Sequence, residues 1–164
     1  MWCNDDIQAL LQRCRASGVM LRTAESCTAG AIAAAIASAS GASDVLDRGW
    51  VTYSNQAKID ELGVSESLLT DYGAVSREVV TAMAVGGCDA NILCVAVSGI
   101  AGPNGGSVEK PVGTVWIATA MKPHSVQARV YHFSGARHEI QRQTVAQAMQ
   151  NIMQDMTIWC GGAA

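Results

Sequence analysis

Two short segments of this sequence carry residues that could form a nucleophile and its base. Ser26 lies in Thr23-Ala24-Glu25-Ser26-Cys27-Thr28-Ala29-Gly30, between an apolar run and a stretch of small residues. Two readings compete there. Serine is a frequent helix N-cap, accepting a backbone N–H with its side chain. It can equally be a nucleophile held where backbone N–H groups would stabilise an oxyanion. The surrounding pattern is not the G-x-S-x-G elbow of the α/β-hydrolases. Cys27 is a rival nucleophile, but it has no paired histidine, and burial as a free thiol is the commoner fate of such a cysteine.

A serine hydroxyl attacks poorly without a base. His124, His132 and His138 all stand late in the chain and read as turn and surface residues. A lysine can serve if burial brings its pKa from about 10.4 toward about 7–8. Lys58 is the candidate, because it follows Thr52-Tyr53-Ser54-Asn55 where a strand runs into a helix, and it can point back over the strand end. The plainer reading is an exposed helix lysine. Tyr53 either orients the base and donates to the leaving group or is a half-buried strand residue.

A second loop carries Ser98, Gly99, Gly102, Gly105, Gly106 and Ser107. Glycines let backbone N–H groups turn toward an anion, and Ser107 would add a hydroxyl. The alternative is a long turn, yet loops of this length inside a compact domain are usually functional. Arg137 or Arg142, at the start of the last helix, would supply a cation, or either is a solvated face residue.

These segments need strands to hold them. Helical spacing of Ile7, Leu10, Leu11 and Cys14 predicts a helix over 4–16, ended by Gly18. Val19–Thr23 reads as a buried strand and 31–40 as a small-residue helix. Trp50–Tyr53 reads as a second strand, followed by helices over 56–62, 66–72 and 76–85. Ile92–Val97 is a continuous apolar run, as in a strand covered on both faces. Thr114–Ala120 is another buried strand, Val126–Phe133 an edge or antiparallel one, and 137–156 a long amphipathic helix. The expectation is one α/β domain over 1–164, a three-layer α/β/α sandwich with a mixed, mostly parallel sheet.

The bulk numbers agree. The chain has 164 residues, of which 49% are hydrophobic and 5% aromatic, so its core must be aliphatic. The net charge of −3 and the absence of any Lys/Arg run argue against nucleic-acid binding. Cysteines at 3, 14, 27, 88, 94 and 160 form no C-x-x-C pair and stand at no zinc-ligand spacing with histidine. Free thiols, no signal-peptide pattern and no membrane-spanning run predict a soluble cytoplasmic protein.

The strings TAESCTAG, RGWVTYSNQAK, GAVS, SGIAGPNGGSVEKPVGTVWIA and FSGARHEIQRQ, in that order, resemble the CinA carboxy-terminal-domain family of nicotinamide-nucleotide amidohydrolases. The resemblance runs from about Leu21 to Met156. It implies an anticodon-binding-domain-like α/β/α fold and hydrolysis of nicotinamide mononucleotide to nicotinic acid mononucleotide and ammonia. It implies Ser26 as nucleophile, Lys58 as base and Tyr53 in support. Glu25, Cys27, Thr28, Gly30, the second loop and Arg142 would bind substrate. It implies no metal or organic cofactor, no nucleic acid, no membrane, and a homo-oligomer. This chain departs from the family at Ser98, where threonine is usual, at Ala136, where an acid is usual, and around Gly86-Gly87-Cys88, which is shorter. The loss of the acid at 136 motivates one alternative, a non-catalytic pyridine-nucleotide-binding paralogue. A nucleic-acid-associated competence factor is a weaker one.

Overall fold

In a computed structural model, which describes residues 4–161, five strands form one sheet in the order β2-β1-β3-β4-β5. The strands are β1 (Met20–Glu25), β2 (Leu46–Val51), β3 (Ile92–Gly99), β4 (Thr114–Ala120) and β5 (Gln127–His132). Parallel pairing joins β1 to β2 and to β3, while β4 runs antiparallel to both β3 and β5. Four strands therefore point one way and β4 points back. Helices α1 (Asn4–Ser17), α2 (Ala31–Ala37) and α6 (Arg137–Trp159) cover one face. Helices α3 (Asn55–Leu62), α4 (Glu66–Tyr72) and α5 (Arg77–Gly87) accompany the other.

The sheet separates two aliphatic cores. Leu21, Val95, Val97 and Ile117 meet Leu10, Leu11, Ile36 and Ile152 on the first face. Ala24, Ala96 and Ala118 meet Val79, Val80 and Met83 on the second. The small residues on that second face let α5 lie close to the sheet. No helix among the described residues is long and apolar enough to cross a membrane.

Two boundaries differ from the sequence expectation. The second strand occupies Leu46–Val51 rather than Trp50–Tyr53. Its first residues, Leu46-Asp47-Arg48-Gly49, lack an apolar run because β2 is an edge strand. The Thr52 N–H still donates to the Glu25 carbonyl at 2.8 Å, and Tyr53 then turns away because Ser54 caps α3, its hydroxyl accepting from the Ala57 N–H at 3.0 Å. The second helix begins at Ala31, as expected, but ends at Ala37 rather than at 40; Ala29 and Gly30 before it are both left-handed, at φ 51° and 94°. The residues before it form a turn.

Parallel β1, β2 and β3 end on the same side of the sheet. Ligands in open α/β sheets bind at the carboxyl ends of strands. Ser26 follows β1, Lys58 follows β2, and the glycine-rich segment 100–113 follows β3.

Candidate functional site

Lys58 stands on the first turns of α3 and is only 1% exposed. Its Nζ lies 3.3 Å from Ser26 Oγ, 2.8 Å from the Thr52 carbonyl oxygen and 3.3 Å from that of Tyr53. Desolvation dominates its titration and pulls the amine below its ordinary range, against a smaller opposing contribution from Cys27. The Ser54 carbonyl oxygen stands further off at 3.5 Å; a neutral amine can give its two N–H groups to the closer Thr52 and Tyr53 carbonyls and turn its lone pair to the Ser26 hydroxyl proton. The chemistry open to this pair is proton removal from a nucleophilic serine.

Ser26 does not cap α2. The cap is supplied from below by Glu25, whose carboxylate is fully buried. Its Oε2 accepts from Thr28 Oγ1 at 2.6 Å and from the Gly30 and Ile32 N–H groups at 3.0 Å each. Its Oε1 accepts from the Ala33 N–H at 2.9 Å. Glu25, Cys27 and Thr28 were expected to bind substrate, but their side chains are buried and face the interior. Apart from the Ser26 hydroxyl, this segment offers a ligand its backbone rather than its side chains. Cys27 is removed as a rival nucleophile as well, since burial pushes its thiol up to about 12. The buried Thr52 hydroxyl has no hydrogen-bond partner among the described residues.

Tyr53 is 56% exposed, and its hydroxyl accepts from Arg137 Nη2 at 2.8 Å. Arg137 also donates through Nη1 to the Gly102 carbonyl at 3.0 Å. This arginine therefore ties the α3 approach to the glycine-rich segment. Arg142, the other candidate cation, makes no hydrogen bond or ion pair among the described residues. It lines a hollow of about 720 Å3 between α1, α2 and α6, which includes none of Ser26, Tyr53 and Lys58. A smaller hollow of about 380 Å3 beside Arg13, His124 and Trp159 also excludes them.

The second loop is packed more tightly than an open anion cradle. A Cβ on Gly99 would meet Val115 and the Thr114 carbonyl, and one on Gly102 or Gly106 would meet Val112. Gly102 and Gly105 also have φ values of 77° and 92°, which favour glycine. Ser107 accepts from the Lys110 N–H at 3.0 Å, and Ser98 donates to the Ala74 carbonyl at 2.7 Å. Both hydroxyls thus hold the chain to itself. Lys110 Nζ fastens the loop to the Tyr72 carbonyl at 2.8 Å. Gln141, absent from the sequence reading, reaches from α6 to the Cys27 carbonyl at 2.8 Å. Nothing in its spacing distinguishes it from the other polar residues of α6. Among the described residues no group of three His, Cys, Asp or Glu side chains could hold a metal ion.

Fold and site together define an α/β protein with a serine–lysine pair at the carboxyl ends of parallel strands. The sequence matches the CinA C-terminal domain family over residues 5–156, and the chain belongs to that family. It is 49% identical over 146 residues to the nicotinamide-nucleotide amidohydrolase PncC of Enterobacter agglomerans, covering 86% of this chain and 87% of that protein. The Escherichia coli K12 protein of the same name is 47% identical over 145 residues, with 87% and 88% covered. Among solved structures, competence/damage inducible protein CihA of Agrobacterium tumefaciens superposes with a TM-score of 0.82 at 42% identity, over 91% of this chain and 94% of that one. A CinA superfamily protein from Klebsiella pneumoniae gives 0.87 at 31% identity, over 95% and 98%.

Proposed function

We propose that this chain is a nicotinamide-nucleotide amidohydrolase that converts nicotinamide mononucleotide to nicotinic acid mononucleotide and ammonia. The names of the PncC relatives support the reaction. The observation that carries the mechanism is the 3.3 Å approach of buried Lys58 Nζ to Ser26 Oγ.

Neutral Lys58 takes the hydroxyl proton as Ser26 Oγ attacks the carboxamide carbon. The tetrahedral oxyanion is held by the backbone N–H groups of Cys27 and Thr28. Neither donates to another residue of the described chain, whereas the Ala29 N–H is already given to the Ser26 carbonyl at 3.1 Å. Protonated Lys58 then returns a proton to the departing nitrogen, directly or through the Tyr53 hydroxyl. The C–N bond breaks and ammonia leaves. Water, losing a proton to Lys58, attacks the acyl-enzyme, and cleavage of the ester frees the acid and Ser26.

The phosphate end of the mononucleotide is expected beside, rather than within, the glycine-rich segment, where Arg137 and not Arg142 reaches the Gly102 carbonyl. Exposed Val51 and Tyr53 beside the site support assembly as a homo-oligomer. The five described cysteines, Cys14, Cys27, Cys88, Cys94 and Cys160, are free thiols, which supports a reducing compartment such as the cytoplasm. Cys3 lies outside the described residues.

Ammonia release from nicotinamide mononucleotide tests the reaction. The wild-type chain turns over, and Ser26→Ala loses several orders of magnitude in kcat. A Ser26→Ala protein that keeps most of its turnover contradicts the mechanism. Binding without turnover by the wild type would favour the non-catalytic paralogue instead.

A further inference from the structure

We infer that Glu25 is a positioning residue for this reaction, setting the turn that carries the nucleophile without touching substrate. The inference rests on the proposed serine–lysine mechanism and adds a residue to it.

The first backbone N–H groups of a helix have no partner within the helix. Surface helices leave them to water or to a short capping side chain. In this chain the carboxylate of Glu25 sits fully buried beneath α2 and accepts from Gly30, Ile32 and Ala33 N–H and from the Thr28 hydroxyl. The Ser26 N–H donates to the Val97 carbonyl at 3.2 Å, and the Ala29 and Ala31 N–H groups donate to the Ser26 and Thr28 carbonyls. From 26 to 33, only the Cys27 and Thr28 N–H groups donate to no other residue of the described chain. Those are the two the mechanism assigns to the oxyanion.

The turn is not one this sequence would adopt unaided. Ala29 is left-handed at φ 51°, a conformation unfavourable for a residue with a Cβ. Such conformations persist only where the surroundings over-determine them. Glu25 supplies that constraint through contacts on both sides of Ala29, at Thr28 and at Gly30. It is also adjacent to Ser26, so the same carboxylate that fixes the turn fixes the direction in which Ser26 leaves β1 toward Lys58.

Glutamine cannot replace it fully. Its single oxygen could serve Thr28, Gly30 and Ile32, but its NH2 would then face the Ala33 N–H, donor against donor. Aspartate lacks a methylene and falls short. Arg129→Met is the matched control. It strips the partner from buried Asp155, which accepts from Arg129 at 2.6 and 2.8 Å, and unpairing a buried charge is strongly destabilising. Arg129 stands on β5, with β3 and β4 between it and β1.

The experiment compares Glu25→Gln, Arg129→Met and wild type by steady-state kinetics on nicotinamide mononucleotide and by amide hydrogen exchange, well below each melting temperature. In Glu25→Gln, kcat falls at least about tenfold, as for a lost oxyanion donor, KM stays within about twofold, and exchange at Gly30, Ile32 and Ala33 accelerates. Arg129→Met keeps wild-type kcat and KM. Unchanged exchange in the 28–33 segment overturns the inference, as does accelerated exchange with wild-type kcat. So does an equal loss of kcat in Arg129→Met, because the effect is then one of general destabilisation. If the wild type itself releases no ammonia, the proposed function fails, while the exchange data still decide whether Glu25 holds the turn.

Discussion

Lys58 is a charged residue type in an uncharged setting, and its titration links stability to activity. Burial lowers its pKa in the folded chain, whereas the unfolded chain holds the proton to about pH 10.4. Between those two values the unfolded state binds more protons, so folding stability rises with pH across that window. Activity rises in the same direction, because the base is the neutral amine. A profile of kcat/KM against pH shows an acid limb with its midpoint below about 10.4. In Lys58→Met that limb and the matching rise in stability are both lost. A limb at the ordinary lysine value, or an unchanged limb in Lys58→Met, contradicts the assignment. Both residues stood as candidates in the sequence, each where a strand feeds a helix, but a helix cap and an exposed lysine were the plainer readings, and only the family resemblance paired them. The part played by Glu25 was not legible. The resemblance implied that Glu25 binds substrate, and only the fold shows its carboxylate turned under α2.

The helices and strands were largely legible from apolar periodicity, and the failures are informative. Strand β2 is an edge with polar Asp47 and Arg48, so its first half carries no apolar signal. Arg137 and Arg142 were interchangeable in sequence, but five residues at about 100° each place them roughly 140° apart around α6. Arg137 faces Tyr53 and Gly102, and Arg142 faces a hollow. The segment at Gly86-Gly87-Cys88 closes α5, and its glycines serve packing. A Cβ on Gly86 would overlap the Leu62 carbonyl oxygen at the end of α3. Alanine gains about 1 kcal/mol in helix propensity, but overpacking against backbone costs about 1–3 kcal/mol. Gly86→Ala is therefore expected to lower the melting temperature. An equal or higher one would show that α3 and α5 separate readily.

Across the molecule, four strands pointing one way bring four connections to one side of the sheet, and the two aliphatic cores fix them there. The α6 helix spans both ends of this arrangement. Its first residue, Arg137, reaches the site, and Asp155 near its end locks onto Arg129 of β5 and the Thr119 hydroxyl of β4. The account built on this scaffold turns on a single covalent intermediate. Acid-quenching the enzyme during turnover of nicotinamide mononucleotide, then weighing its peptides, looks for that species directly. The account predicts an acyl group of the pyridine mononucleotide on the peptide containing Ser26 and Cys27, located on Ser26 and absent from Ser26→Ala. An acyl group on Cys27, or ammonia release by Ser26→Ala at the wild-type rate, would contradict it.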